Sequence, residues 1–178
     1  QADVAVEEQA RGLVRRAVEE FGRLDVLVNN AGATRRIPHA DLAAVTPEVW
    51  REILGLNVVG TWQTSVAAMP HLRESGEGCI VNVSSVAGSR PAGSSIPDAV
   101  SKAAIEHRTR LLANTVGPEV RVNAVAPGLI ETPWTRDFTE IAEMTERVTP
   151  LKRVGQPEDV AEAVLGLTNA RYVTGQVL

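Results

Sequence analysis

The sequence is poor in the residues that disulfide-bonded and zinc-bound proteins require. Its single cysteine, Cys79, excludes an internal disulfide and cannot build a cysteine-based zinc site. The three histidines, His39, His71 and His107, are scattered without the spacing of a ligand set. We therefore expect a soluble protein of a reducing compartment such as the cytoplasm, without a bound metal.

The sequence also lacks an excess of basic residues and any long hydrophobic run. Its 18 basic and 22 acidic residues give a formal net charge of −4, which argues against a nucleic-acid partner. No apolar run approaches the roughly 20 residues that a membrane-spanning helix needs. Hydrophobic residues still make up 44% of the 178 positions, enough for the core of one domain. We expect a single domain over residues 1–178 that binds neither nucleic acid nor membrane.

Hydrophobic periodicity alternates between the patterns of helices and strands. Apolar residues recur every three or four positions over 6–22, which predicts an amphipathic helix. Runs that are apolar on both faces predict buried parallel strands at 25–29, 79–83 and Val120–Val125. Thr46 is predicted to cap the start of a long helix that includes 49–72. Further helices are predicted from near Pro97 to Val116 and from Gln156 onward, with a last strand within 172–178. This alternation predicts a doubly wound α/β fold with helices on both faces of a parallel sheet.

Small and polar residues follow each predicted strand. They are Asn29 to Gly32 after the first, Ser84-Ser85 after the second and Pro127-Gly128 after the third. Ligands of doubly wound sheets bind beyond the carboxyl ends of the strands, so the site is expected there. On the next helix, Asp98 and Lys102 lie four residues apart on one face.

Two other segments are predicted to shape the site. Gly55 and Gly60 predict a kink in the long helix, with Asn57 between them. The stretch 130–149 has little aliphatic periodicity, which is typical of a mobile flap over a site.

The motifs DVLVNNAG, IVNVSS, SK and RVNAVAPG, with Asn57 between the first two, resemble those of the classical short-chain dehydrogenase/reductase family. The chain is most similar to the 3-oxoacyl-carrier-protein-reductase-like members, and the resemblance covers nearly its whole length. It implies a Rossmann-like doubly wound parallel sheet and hydride transfer between alcohols and ketones, with NAD or NADP as cofactor. It also implies a small-molecule carbonyl or alcohol substrate. A homo-oligomer, dimer or tetramer, would pair through the helices at 49–72 and 99–116.

The resemblance assigns roles to individual residues. Ser85 would hydrogen-bond the substrate oxygen, and Asn57 would anchor a water of the proton relay. Lys102 would hold the nicotinamide ribose and lower the pKa of a catalytic acid. The residues that the resemblance implies for cofactor binding are Asp3, Asn29, Ala31, Gly32, Lys102, Pro127, Gly128, Ile130 and Thr132.

The catalytic tyrosine of the family lies four residues before the lysine, and this chain has Asp98 at that position. A phenol, with an ordinary pKa near 10, can be tuned to donate a proton, whereas an aspartate, with a value near 3.9, is ionised at neutral pH. Asp98 would pair with Lys102 or, more simply, serve as an acidic residue at a helix start. The only tyrosine, Tyr172, lies far from this helix in the sequence. We therefore expect the usual mechanism to be impaired.

The sequence also contains no glycine-rich G-x-x-x-G-x-G turn, which in the family precedes the segment seen here. We therefore expect a partial domain that lacks the N-terminal glycine-rich βαβ part. Cofactor binding by this chain should be weak, because pyrophosphate affinity comes from such a turn. The strand at 25–29 would lack its usual neighbour, so we expect residues 1–178 not to fold as a self-sufficient unit.

Two functions remain open from the sequence. The first is an impaired NAD(P)-dependent oxidoreductase, and the second is a non-catalytic partner that acts in oligomerisation or regulation. A serine hydrolase is disfavoured because no G-x-S-x-G motif is present. Arg108 is a further anomaly, since it falls in an apolar stripe of its helix and would cost stability unless it reaches a partner or solvent.

Overall fold

A computed structural model describes residues 1–136 and 138–178. Its sheet has three parallel strands in the order β1-β2-β3: β1 (Val26–Asn29), β2 (Gly78–Val83) and β3 (Val120–Val125). Val28 lies opposite Val81, and Val81 lies opposite Asn123. The three predicted strands are thus confirmed to within one residue at each end.

Helices surround this sheet. In the part of the chain described they are α1 (Glu7–Phe21), α2 (Pro47–Leu54), α3 (Thr61–Glu74), α4 (Ile96–Val116), α5 (Thr139–Val148) and α6 (Pro157–Asn169). Gly22 ends α1 with a left-handed backbone at φ 75°, a conformation that glycine adopts without steric cost. Thr46 begins α2, since its side chain accepts a hydrogen bond from the Val49 N–H, and Pro47 occupies the first turn.

The long helix predicted over 49–72 is interrupted as expected. Between α2 and α3 the backbone forms a π-helical segment, Gly55–Gly60, with Asn57 in its middle. Such segments widen a helix by one residue per turn and free backbone carbonyls from the regular ladder. The predicted kink therefore takes the form of a π segment.

The core lies on both faces of the sheet. On one face, Ile80 and Val122 pack with Val14 of α1, Leu72 of α3 and Leu112 of α4. On the other face, residues of β2 and β3 pack against α6. The buried members of that second cluster are Cys79, Val81, Val125 and Leu167. Helices therefore cover both faces, and the predicted doubly wound arrangement is confirmed.

The burial expected for the first strand is wrong on one face. Val26 and Val28 are 39% and 43% exposed, although the run was predicted to be covered on both sides. Their strand neighbours Cys79 and Val81 lie under α6 and are buried. Because β1 is the edge strand in the sheet order and α6 packs over β2 and β3, α6 does not extend over β1.

The last predicted strand is present only as its first paired residues. Residues 172–178 approach β3 through backbone hydrogen bonds, including Gly175 N–H to Val122 O at 2.8 Å and Leu178 N–H to Ala124 O at 3.0 Å. The pairing amounts to one bridge, between Ala124 and Val177. Gly175 has φ 73°, which interrupts the extended backbone that a longer strand requires.

The predicted flap at 130–149 contains a helix, α5, which the sequence analysis did not anticipate. The first residue of this stretch, Ile130, forms a parallel β-bridge with Gly155. The mobility expected for this stretch stays a prediction. Within the described residues, no helix is both long and apolar enough to cross a bilayer.

Candidate functional site

Three of the predicted site residues meet at the carboxyl ends of the strands. The amine of Lys102 lies 3.4 Å from the carbonyl of Val83, the last residue of β2. Gly32 follows β1, and a Cβ added there would lie 3.9 Å from the Lys102 Nζ and 3.3 Å from the Asn57 Oδ1. The missing side chain at Gly32 thus leaves space beside Asn57 and Lys102.

Asn57 connects the two segments that flank this space. Its buried carboxamide donates from Nδ2 to the Ala33 carbonyl and to the Ser101 hydroxyl, both at 2.9 Å. Its Oδ1 accepts a hydrogen bond from the Ala33 N–H at 2.8 Å. Asn57 therefore fixes the loop after β1 to α4, the helix that carries Lys102.

Ser85 lies at the end of the neighbouring strand. It precedes a short 3₁₀ turn, Val86–Gly88, and its hydroxyl oxygen accepts a hydrogen bond from the Ala87 N–H at 3.2 Å. This contact does not consume the hydroxyl proton, so Ser85 can still donate a hydrogen bond to a ligand.

Ser84 and Gly88 hold the turn against α4. The Ser84 hydroxyl donates to the Lys102 carbonyl at 3.1 Å and lies 3.2 Å from the carboxylate of Glu106, which is buried. A Cβ at Gly88 would lie 2.9 Å from the backbone carbon of Lys102, a distance that folded proteins do not tolerate. Only glycine lets the Ser85 turn approach α4 this closely.

Burial lowers the pKa of the Lys102 amine from its ordinary value of 10.5. The negative charge of the Asp98 carboxylate acts in the opposite direction and raises the pKa of the Lys102 amine. The expected ion pair between the two residues is not formed, since no Asp98–Lys102 contact within 4.0 Å occurs in the described residues. Asp98 therefore influences Lys102 through space.

Asp98 lies in the first turn of α4 and is buried. Its N–H donates to the Ser95 hydroxyl at 3.3 Å, and its Oδ2 accepts a hydrogen bond from the Ser94 hydroxyl at 2.9 Å. Ser94 is in turn hydrogen-bonded to Thr34, in the loop after β1. A carboxylate at this position interacts favourably with the helix dipole, which fits the simpler of the two interpretations of Asp98.

The remaining residues predicted to bind cofactor are more dispersed. The Pro127 carbonyl accepts a hydrogen bond from the Val86 N–H at 3.0 Å, so the loop after β3 joins the Ser85 turn. Gly128 faces open space. The Thr132 N–H donates to the Thr135 hydroxyl, and the Asp3 carboxylate accepts from the Ala5 N–H within its own turn. Ala31 is exposed in the loop after β1.

The structure brings some of these residues together and leaves others apart. Gly32, Asn57 and Lys102 form one cluster, to which the Ser85 turn is attached. The hydrogen bonds of Asp3 and Thr132 are to nearby residues of the chain and do not link them to this cluster. Their cofactor contacts stay predictions.

Asn29 points into the protein. Its side chain is buried and uses both polar atoms within the core, donating to Ser65 and Asn82 and accepting from Thr64. A contact between Asn29 and a cofactor stays a prediction, and the burial leaves only the backbone of this residue to make it.

Sequence reasoning missed the residues that support the cluster. Ser101 orients Asn57, Ser94 contacts Asp98, and Glu106 lies against Ser84. One signal could have found two of them, because Ser101 and Glu106 lie on the buried face of α4 that also carries aliphatic residues. Polar residues on an inward face need buried partners, and those partners lie at the site.

A cavity of about 180 Å³ adjoins the predicted cofactor segment. Pro127 and Ile130 line it together with residues of β3, α6 and the end of the described chain. Its walls are mainly aliphatic, since Val125, Val160 and Leu178 also contribute. A larger cavity of about 460 Å³, near Arg153 and Asp159, is lined by other residues than the Lys102 cluster.

Comparison with known proteins identifies related sequences and structures. A family profile described as Enoyl-(Acyl carrier protein) reductase matches residues 1–178. A Streptomyces violaceoruber protein named as a ketoacyl reductase of the granaticin polyketide synthase is 73% identical over 180 residues, which cover 99% of this chain and 72% of that protein. The 3-oxoacyl-[acyl-carrier-protein] reductase FabG of Thermotoga maritima is 40% identical, with the same two shares covered.

Solved structures show the same likeness in three dimensions. The crystal structure of a gluconate 5-dehydrogenase from Burkholderia cenocepacia, in complex with NADP and tartrate, matches with a TM-score of 0.89 at 30% identity. The match covers 99% of this chain and 70% of that one. Fold, motif order and relatives therefore agree, and the chain belongs to the NAD(P)-dependent oxidoreductases of the classical short-chain dehydrogenase/reductase family, among its 3-oxoacyl-carrier-protein-reductase-like members.

Proposed function

We propose that this protein acts on the ketone or alcohol group of 3-oxoacyl-type substrates, and that Asp98 impairs its proton-transfer step. The observation that carries the proposal is the position of Asp98. Its carboxylate is buried four residues before Lys102, on the helix that Asn57 joins to the loop after β1. The substrate class is inferred from the relatives named as ketoacyl reductases.

The residues at the strand ends fit the nicotinamide half of the cofactor. Gly32 offers a surface without a side chain beside the Lys102 amine, and Gly128 faces open space. When bound, the cofactor would donate or accept the hydride. Lys102 would hold its ribose, and Pro127, Gly128, Ile130 and Thr132 would hold the nicotinamide carboxamide and one phosphate. The glycine-rich turn that binds pyrophosphate is not in this sequence, so we expect residues 1–178 to bind the cofactor weakly.

The protein's own groups would then act on the substrate. The Ser85 hydroxyl would donate a hydrogen bond to the substrate oxygen, while Asn57 would hold the loop in place. Reduction of a ketone also requires a proton at that oxygen. An ionised carboxylate, the ordinary state of aspartate at neutral pH, has no proton to give and would repel the developing alkoxide.

Substitution of Asp98 tests this proposal directly. In the full-length protein, Asp98→Tyr should raise the rate of NADPH or NADH oxidation with a 3-oxoacyl thioester by about a hundredfold or more, the usual contribution of a general acid. Asp98→Phe is the matched control, because it adds the ring without the hydroxyl and should stay at the starting rate. Equal rates for the original protein and Asp98→Tyr, both well above that of Asp98→Phe, would contradict the claim of impairment.

A non-catalytic role in oligomerisation is the second candidate, and one surface favours it. Val59, Trp62 and Val66 on the π segment and α3 are 45–47% exposed, and Val100 and Leu111 on α4 are 44% and 56% exposed. We propose that this face pairs copies of the chain in the cytoplasm as a dimer or tetramer. An exposed apolar face of this kind is typical of such contacts.

Light scattering after gel filtration would test the pairing. Trp62→Glu should shift the protein to a smaller species, whereas Trp134→Glu, at another exposed tryptophan, should not. An oligomer without turnover in both the original protein and Asp98→Tyr would favour the non-catalytic candidate. A protein that is monomeric from the start would contradict it.

A further inference from the structure

Arg108 reaches across from α4 to the π segment. Its Nη1 donates to the Val58 carbonyl at 2.6 Å, and its Nη2 donates to the Thr61 hydroxyl at 2.7 Å. Its Nε is buried and has no hydrogen-bond partner in the part of the chain described. The arginine that disturbs the apolar stripe of α4 therefore has two specific acceptors.

Thr61 extends this contact to Asn57. The Thr61 hydroxyl, which accepts from Arg108, donates to the Asn57 carbonyl at 2.6 Å and approaches the Val58 carbonyl at 3.3 Å. The Val58 carbonyl also accepts a hydrogen bond from the backbone N–H of Thr61. Arg108 therefore adds a second, charged donor at Val58, and the Thr61 hydroxyl adds a donor at the Asn57 carbonyl.

The guanidinium stays charged while it does this. Burial lowers the pKa of Arg108 to about 10, which is still well above neutral pH. A charged donor makes a shorter and stronger hydrogen bond than a neutral one, in line with the distances to Val58 and Thr61. An aliphatic residue would fill the same stripe without the cost of burying a charge, so packing alone does not account for an arginine here.

We propose that Arg108 is a positioning residue for Asn57. By holding the Val58 carbonyl and Thr61, it fixes the backbone of the π segment and thereby the place at which the Asn57 carboxamide meets Ala33 and Ser101. The inference rests on the proposed function only in treating Asn57 as a site residue. Its test uses neither cofactor nor substrate, so its failure is distinguishable from a failure of that function.

The Ala33 amide reports directly on this position, because its N–H donates to the Asn57 Oδ1. We would measure amide hydrogen exchange in the full-length protein and express the rate at Ala33 relative to Val81 and Val122, two buried strand amides. Arg108→Leu should raise this ratio about tenfold, the change expected when a hydrogen bond to a charged group is lost. Arg110→Leu, at an exposed arginine two residues along α4, should leave it unchanged.

Two more variants keep the test decisive. Arg108→Lys retains the charge and one donor and should give an intermediate ratio. Thr61→Val removes the relay to the Asn57 carbonyl and should raise the ratio as Arg108→Leu does, and it carries the test if Arg108→Leu does not fold. Equal acceleration at all three amides would mean that Arg108 merely stabilises the fold, and this result or an unchanged ratio would overturn the proposal.

The side-chain amide signals of Asn57 give a second readout. Their ¹H–¹⁵N resonances, assigned by their loss in Asn57→Asp, should shift in Arg108→Leu and remain in place in Arg110→Leu. Unshifted signals in Arg108→Leu would also overturn the proposal.

Discussion

Asn29 and Asn82 lie opposite each other on adjacent parallel strands, and their buried side chains are hydrogen-bonded at 2.9 Å. The Nδ2 of Asn82 in turn donates a hydrogen bond to the Thr109 hydroxyl on α4, also at 2.9 Å. On the other side, Asn29 contacts Thr64 and Ser65 of α3. A polar ladder therefore crosses the core just below the site and holds α3, the sheet and α4 in register.

Loss of this ladder should destabilise the protein. Asn29→Ala removes the donor to the buried Asn82 Oδ1, so the free energy of unfolding should fall by about 1–3 kcal/mol. Asn30→Ala, at the exposed next residue, is the matched control and should change it by less than about 0.5 kcal/mol. Urea denaturation measures both. Equal effects at the two positions would show that the ladder contributes little.

The charge of Asp98 should be visible at Lys102. Because the carboxylate raises the pKa of the buried amine, Asp98→Asn should lower that pKa further. The chain has only two lysines, so an NMR pH titration of their ε-carbon signals resolves each, and the exposed Lys152 serves as an internal control. An unchanged or raised pKa of Lys102 would contradict the through-space interaction.

Lys102 should also make stability depend on pH. Its folded-state pKa lies below the 10.5 of an unperturbed lysine, so the unfolded chain binds more protons between these values and stability rises with pH there. Lys102→Met, which removes the buried amine, should therefore be more stable than the original protein at pH 7. That difference should shrink as the pH approaches 10.5, which unfolding measurements at several pH values would show.

Lys152→Met is the control for this pH series, since Lys152 is exposed. The free energy of unfolding of Lys152→Met should differ little from that of the original protein. A Lys102→Met difference that grows with pH would have the wrong sign for a buried amine and would contradict the interpretation.

The close approach at Gly88 should matter for both stability and the site. Gly88→Ala would force its Cβ against the backbone of Lys102 and displace the Ser85 turn, with an expected loss of about 1–3 kcal/mol of unfolding free energy. In an active background such as Asp98→Tyr, turnover should fall as well. Gly55→Ala meets no atom within 4 Å and should be neutral or slightly stabilising. Comparable losses in the two variants would argue against a special role for Gly88.

Arg121 donates hydrogen bonds to the backbone carbonyls at the C-terminal end of α6. Its guanidinium donates to the carbonyls of Leu167, Thr168 and Ala170, which lie at the helix C-terminus and lack partners within the helix. Arg121→Met should lower the free energy of unfolding by about 2–3 kcal/mol, since hydrogen bonds from a charged donor are lost.

Arg15→Met controls for the loss of an arginine. Arg15 is exposed and lies 3.9 Å from Glu19, and surface ion pairs of this kind contribute little, so its removal should cost less than about 0.5 kcal/mol. Urea denaturation would compare the two variants. A cost for Arg121→Met as small as that for Arg15→Met would show that α6 does not depend on this cap.

The sequence alone determined the order of elements and the edge of the sheet at which the site lies. Strands β2 and β3 were predictable because runs apolar on both faces encode buried parallel strands within six residues. The ends of α1 at Gly22 and of α2 at Thr46 were predictable because capping depends on one or two neighbouring residues. The meeting of Lys102 with the strand ends follows from this alternation of strands and helices.

The tertiary structure alone decided where individual side chains point and what they contact. Asn29 turns inward because its side chain hydrogen-bonds to Ser65 and Asn82. These partners are 36 and 53 residues away in the sequence, and no local pattern encodes such pairings. Likewise Arg108, an anomaly in its own helix, finds one acceptor 50 residues earlier in the π segment and another 47 residues earlier, at the first residue of α3. Val26 and Val28 are exposed because α6 does not reach β1. Periodicity records which residues are apolar, but the packing of distant elements determines which of them are covered.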